Sequence, residues 1–309
     1  MDTNPIRDKN VVFFFFLIPT IMLIVGYFVF LNNPFLLDSK IIYIPLFLGI
    51  VLLGIGFFLN KVQARKIKMA GWGSFSFFWA IQPGYLYAPS SDMFNAVVCI
   101  IGVYVLIYIA YHEWLSIKRN EQVSCLNWIA GGTFLAGIIY FTIDSGILPE
   151  LKNGLINIVA SQSAAVLNLL NMQAIRNGCL ITYKGISITI IFACTAIQSM
   201  VLFVGMNGAI GKVSLKRRAT AIAATVVPIY FLNLIRNALV IFLVGENITS
   251  FNMAHNVIAK SLSLIALIIL LFLNFKIVPE LSDEILCIFN LTKRKGPVEN
   301  FFTRLMGKK

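Results

Sequence analysis

The sequence predicts an all-α protein, a polytopic bundle of about eight transmembrane helices with an amphipathic segment on its outer face. Three observations lead there. Of 309 residues, 59% are hydrophobic and only 12% charged, against about a quarter charged in a soluble domain. Several apolar runs reach the ~18 to 20 residues that span a bilayer. The 25 basic residues fall mostly in short loops and termini on one side of those runs, as the positive-inside rule requires. A chain in lipid must pair its backbone groups internally, so the runs are expected to be helices.

The expected spans cover approximately 11–31, 41–59, 69–88, 93–111, 124–143, 186–210, 219–243 and 254–275. The first is too long for a signal-peptide core and lacks a small-x-small cleavage site, so it is expected to remain. Pro83 and Gly84 interrupt the third and make it the weakest. With this arrangement nineteen basic residues lie on one side, four on the other, and Arg236 and Lys260 within spans. The charge-rich side is expected to be cytoplasmic, with both termini there and a plasma-membrane location. Residues 1–275 are read as one transmembrane domain, with a catalytic half at about 148–275. Residues 276–309 are read as a basic cytoplasmic tail lying on the membrane surface.

A net charge of +12 is also what a nucleic-acid binder carries, but its placement in loops speaks for membrane topology, and no nucleic-acid partner is expected. The five cysteines, Cys99, Cys125, Cys179, Cys194 and Cys287, are odd in number and scattered. They imply neither a disulfide framework nor a metal spacing. With only His112 and His255 present, no His-rich metal site is available, and no metal or cofactor is expected.

The long external connection, 144–187, is not uniformly polar. Leu148, Leu151, Leu155, Val159, Val166 and Leu170 recur at helical spacing, with Gln162, Ser163, Asn168 and Asn171 on other faces. An amphipathic helix at the outer interface, or a structural cap over the bundle, fits that pattern. The residues 179–183 read as extended, and Asn247-Ile-Thr249 is a glycosylation sequon.

Three residues carry candidate chemistry. Cys194 is expected about eight residues inside the outer end of the 186–210 span, roughly 12 Å down by helical rise, with Gln198 four residues on and sharing its face. Alone, such a cysteine is usually a small hydrophobe. Arg236 changes its meaning, because a charge within a span costs ~2.5–3.5 kcal/mol and faces a partner inside the protein. Asn233 three residues before it, and Asn237 one turn beyond Asn233, add a polar stripe with no reason to face lipid. His255 opens the last span, and imidazole is the side chain best suited to move protons near neutral pH. Lys260 is expected about 140° around the helix from His255, its role open. A neighbouring cation favours the thiolate, a guanidinium can stabilise an oxyanion, and an imidazole can carry the thiol proton to a leaving amine. Together they describe cysteine-type acyl transfer at the outer side of a membrane.

Ala193-Cys194-Thr195 early in one span, Ile235-Arg236-Asn237 late in the next, and a His opening the last, with Ala259 four residues after it, resemble the archaeosortase/exosortase family. The resemblance covers roughly Leu148 to Asn274. It implies a membrane-embedded cysteine transpeptidase with Cys194 as nucleophile, Arg236 as stabiliser of thiolate and oxyanion, and His255 as general acid/base. Its implied substrates are secreted proteins whose C-terminal sorting signal combines a short motif, a transmembrane helix and a basic tail. Cleavage through a thioester and transfer of the new C-terminus to a membrane lipid would follow. Two other readings compete: a transporter, with Arg236 and Lys260 on an anion path, and a non-catalytic export or assembly factor.

Overall fold

The computed structural model describes residues 5–31, 40–59, 62–90 and 93–307. Lys61, Lys308 and Lys309, counted among the charges of the basic side, lie outside the described residues. The helices run α1 Pro5–Leu31, α2 Ile44–Leu59, α3 Val62–Ser90, α4 Met93–Arg119, α5 Ser124–Asp144 and α6 Pro149–Leu169. Strands β1 Ile175–Asn177, β2 Leu180–Tyr183 and β3 Ile186–Thr189 follow. Then come α7 Ile197–Ala209, α8 Leu215–Gly245, a π-helical turn Met253–Ala259 leading directly into α9 Lys260–Ile277, α10 Glu280–Asn290 and α11 Pro297–Leu305.

Six helical stretches are long and apolar enough to cross a membrane: Lys9–Phe28, Ile41–Leu59, Met93–Arg119, Ser124–Asp144, Leu215–Gly245 and Met253–Ile277. Each matches an expected span, and the chain is a multi-pass helical membrane protein. The third expected span lies in α3, which runs unbroken through Pro83 and Gly84. The expected span 186–210 is not one helix. Ile186-Ser-Ile-Thr189 alternates apolar and polar residues, a period of two that builds a strand; mean hydropathy hides that alternation. The remaining helix, α7, has 13 residues. It rises ~20 Å, short of the ~30 Å hydrocarbon core.

The chain divides into two compact units, one of residues 1–134 with 283–309, the other of residues 135–282. In the first, α2 and α3 approach so closely that a Cβ on Gly49 would lie 2.7 Å from the Phe75 nitrogen. Lys68 and Glu113 form a buried ion pair at 2.9 Å, and Arg65 donates to the Ser116 carbonyl at 3.0 Å. The tail does not lie free on a surface. Glu299, on α11, is buried and accepts hydrogen bonds from Tyr108 (2.7 Å), Tyr111 (3.0 Å) and the Gly296 amide (2.9 Å), with His112 Nε2 at 3.2 Å. Arg294 reaches Glu121 at 2.7 Å and Ser116 Oγ at 3.1 Å. Cys125 and Cys287, 162 residues apart, form a disulfide. That pairing corrects the expectation of none, since no spacing rule links positions so distant.

The second unit holds all the candidate chemistry. Its core joins Val159, Ala160, Ala164 and Leu167 of α6 to Ile181, Tyr183, Ile190 and Cys194, and to Leu234, Ala238 and Ile241 of α8. The connection that starts at 144 is therefore a helix followed by a small sheet. Its buried face is Val159, Ala160, Ser163, Ala164 and Leu167, while Leu151 and Leu170 point outward. Small side chains turn inward because they let α6 sit close against α8. Gln162 on α6 also accepts a hydrogen bond from Tyr230 on α8. Asn168 locks the helix end to the sheet, accepting from the Ala174 amide at 2.6 Å and donating to its carbonyl at 3.1 Å.

Candidate active site

The site begins with the β2–β3 hairpin. Its two-residue connection, Lys184 and Gly185, has φ of 49° and 80°. Positive φ at both centres gives the turn whose twist matches paired strands. β2 is antiparallel to both neighbours, in the order β1-β2-β3. The hairpin is pinned to the end of α8 by Glu246, which accepts from Tyr183 at 2.5 Å and pairs with Lys184 at 2.6 Å. The Lys184 ammonium, and then the Tyr183 hydroxyl, hold the Glu246 carboxyl below its ordinary range. On its inner face the Tyr183 ring fills the space above Gly245, where a Cβ would meet it at once.

β3 leads into the candidate nucleophile. The Ile190 amide donates to the Cys179 carbonyl at 2.8 Å, extending the ladder by one bond. A tight 3-10 turn, Phe192–Thr195, follows, with the Cys194 amide bonded to the Ile191 carbonyl at 2.8 Å. Ala196 then adopts a left-handed conformation, φ 58° and ψ 12°, and α7 starts at Ile197. Left-handed backbone costs a non-glycine residue roughly 1–2 kcal/mol, and it persists only where its surroundings enforce it. Thr195, buried, braces the turn by donating to the Phe192 carbonyl at 2.7 Å and accepting from the Ile197 amide at 3.4 Å. Cys194 thus sits in a strand-turn-helix corner ahead of a helix N-terminus, an end that favours negative charge. This corrects the expected position in mid-helix. It also removes the shared face with Gln198: Ala196 breaks the helical register, Cys194 is buried and Gln198 exposed.

α8 supplies the rest. Asn233 and Asn237 are buried and donate to the Cys194 carbonyl oxygen at 2.7 and 3.0 Å. Asn237 also lies 3.4 Å from Ser163 Oγ of α6 and accepts from Arg236 Nη1 at 3.4 Å. The half-buried Arg236 guanidinium lies within electrostatic reach of the Cys194 thiol and of the His255 ring. A cavity of about 280 Å³ opens beside Arg236, lined by Ser199, Asn233 and apolar residues of α8 and α9.

His255 sits in the π-helical turn, its ring stacked on Phe251 at 5.2 Å. In a π turn residues five apart are neighbours. Lys260 therefore comes back toward His255 instead of lying 140° away, and the two are electrostatically coupled. The second unit thus groups the candidate thiol, guanidinium and imidazole with Asn233, Asn237 and Lys260, and leaves Gln198 outside. Ser163 and Glu246 were not anticipated. Ser163 reads as one polar residue on an amphipathic helix, and Glu246 as a loop acid.

The fold and these residues define a multi-pass helical membrane protein with a cysteine, an arginine and a histidine in one compact unit. Residues 38–273 match the transmembrane exosortase family (Exosortase_EpsH). The chain belongs to that family, a group of membrane transpeptidases. It is similar to archaeosortase A of Natronomonas pharaonis, 24% identical over 72% of this chain and 79% of the relative. It is also similar to archaeosortase A of Haloferax volcanii, 23% identical over 73% of this chain and 84% of that relative. No solved structure matches the chain.

Proposed function

We propose that the protein is a cysteine transpeptidase acting at the extracytoplasmic side of the plasma membrane, with both termini cytoplasmic. Its substrates are secreted surface proteins ending in a short motif, a transmembrane helix and a basic tail. His255 takes the Cys194 proton, and the sulfur adds to the scissile carbonyl. Arg236 faces the charge on the resulting oxyanion, where a fixed cation in a water-poor site is worth most. Collapse of that adduct expels the amine, which takes the proton from His255 and leaves a thioester on Cys194. An amine-bearing lipid then attacks the thioester, forming an amide and returning the thiol. The apolar cavity beside Arg236 suits the hydrocarbon part of such an acceptor.

The single observation behind this proposal is the grip of Asn233 and Asn237 on the Cys194 carbonyl, which fixes the cysteine against α8, the helix that carries Arg236. Two buried amides satisfy one main-chain carbonyl and fix the corner on which the thiol is carried. Cys194→Ala and Cys194→Ser, expressed in the native host, are expected to accumulate unprocessed precursor. Undiminished processing by Cys194→Ala would eliminate the enzyme and leave a transporter or an assembly factor. Mass measurement of a mature C-terminus then separates a lipid acceptor from water.

A further inference from the structure

β3 is an edge strand, and among the described residues no strand pairs with its other side. In an antiparallel ladder, successive residues turn their N–H and C=O alternately toward the partner strand and away from it. Ile190 bonds toward β2 through the Cys179 carbonyl. Counting back by twos, Ile188 and Ile186 do the same, opposite Ile181 and Tyr183. Ser187 and Thr189 therefore direct their amides and carbonyls outward, and both residues are exposed. The side chains of Ile186 and Ile188 turn to the inner face. There they pack on a cluster of Val240, Val244, Ala254 and Ala259, the last two from the π turn that carries His255.

An open edge is a template for another extended chain, and most proteins blunt it with lysine, proline or a covering element. Among the described residues β3 carries no lysine or proline, and no strand covers its outward side. Its last residue, Thr189, stands only five positions before Cys194, and Ile190 shares a core cluster with Cys194. A chain laid along this edge runs from the hairpin tip toward the thiol. It passes beside the sheet face against which the segment bearing His255 packs.

We propose that β3 is the substrate-docking edge: the peptide flanking the scissile bond adds to the sheet as a fourth strand, bonded to the main chain of Ser187 and Thr189. Strand addition takes affinity from backbone bonds and selectivity from alternate side chains. Substrate residues facing the inner side meet Ile186 and Ile188, and those between them face solvent. The occupant is thus an extended segment; a helix has no free N–H groups to offer an edge. This proposal rests on the transpeptidase reading above.

The test uses the precursor that accumulates in Cys194→Ala cells. In that background, with Cys99 and Cys179 replaced by serine, Thr189→Cys is paired with single cysteines scanned through the precursor near its cleavage point. Oxidative cross-links are expected at alternate precursor positions; a period near 3.6, or no cross-links, overturns the docking edge. In the active enzyme, Thr189→Pro removes the outward amide while sparing the inward ladder. KM is expected to rise roughly three- to tenfold, as for one lost hydrogen bond, with kcat retained. Alkylation of Cys194 by iodoacetamide at the wild-type rate shows that the Pro variant keeps its fold. An unchanged KM in Thr189→Pro rejects strand addition. If Cys194→Ala accumulates no precursor, the transpeptidase reading itself falls, and strand docking of its substrate falls with it.

Discussion

Asn237 donates from α8 to the main-chain carbonyl of Cys194 at 3.0 Å, across 43 positions of sequence. Asn233, one helical turn earlier, donates to the same oxygen. The pair holds a corner whose next residue but one, Ala196, is in left-handed backbone. Removing one amide leaves the corner less constrained, and a lost buried hydrogen bond costs about 1–3 kcal/mol. Asn233→Ala or Asn237→Ala is therefore expected to lower kcat by one to two orders of magnitude with little change in KM, since the thiol and not the docked peptide moves. Steady-state kinetics checks this, and Asn237→Asp, which cannot donate when ionised, should behave like the alanine variant.

Arg236 lies in the same compact unit as Cys194 and His255, and its charge is felt at both. Lysine keeps the charge but loses the planar fork. Arg236→Lys is expected to impair processing strongly, by about a hundredfold or more if one oxyanion donor is lost. Near-normal processing would argue against oxyanion binding by this side chain.

Much of this was legible in the sequence, and what was not has physical reasons. Hydropathy and loop charge expose helices such as 215–245 because a span is a local property of about twenty residues. Arg236 stood out because lipid makes a charge expensive wherever it sits. The corner at Cys194 was misread as helix interior because Ile186–Ile191 is apolar on average; only the alternation Ile-Ser-Ile-Thr marks a strand. The expected shared face of Cys194 and Gln198 is lost for the same reason, since i,i+4 logic holds only within one unbroken helix. Ser163, Glu246 and the Cys125–Cys287 bond are long-range pairings, which a single chain without its fold does not display.

Glu246 bears on the site through the hairpin. Its carboxyl is held below 4.5, first by Lys184 and then by Tyr183. A carboxyl with a depressed folded value supports structure above its ordinary value, and that support fades as pH falls through the folded one. Corrected for the intrinsic pH dependence of exchange, the 180–190 segment is expected to be well protected at neutral pH and less protected below pH 4.5. Glu246→Gln should show the faster exchange already at neutral pH, with KM raised because the docking edge is less well held.

Glu299 gives a separate pH test in the first unit. Burial alone would raise its carboxyl, but the His112 ring 3.2 Å away and the Tyr108 hydrogen bond outweigh that and bring it down to about 2, from an ordinary 4.5. Because the folded value is the lower one, the ionised carboxylate stabilises tail docking above pH 4.5, and the contribution disappears between about 4.5 and 2. Residues 291–305 should therefore undock in that window, while the Cys125–Cys287 disulfide keeps α10 in place. Hydrogen exchange across 291–305, corrected for its intrinsic pH dependence, reads the transition. Glu299→Gln is expected to expose this segment at neutral pH and to abolish the transition; a segment that stays protected in the variant would show that Arg294 and Val298 hold the tail without the carboxylate.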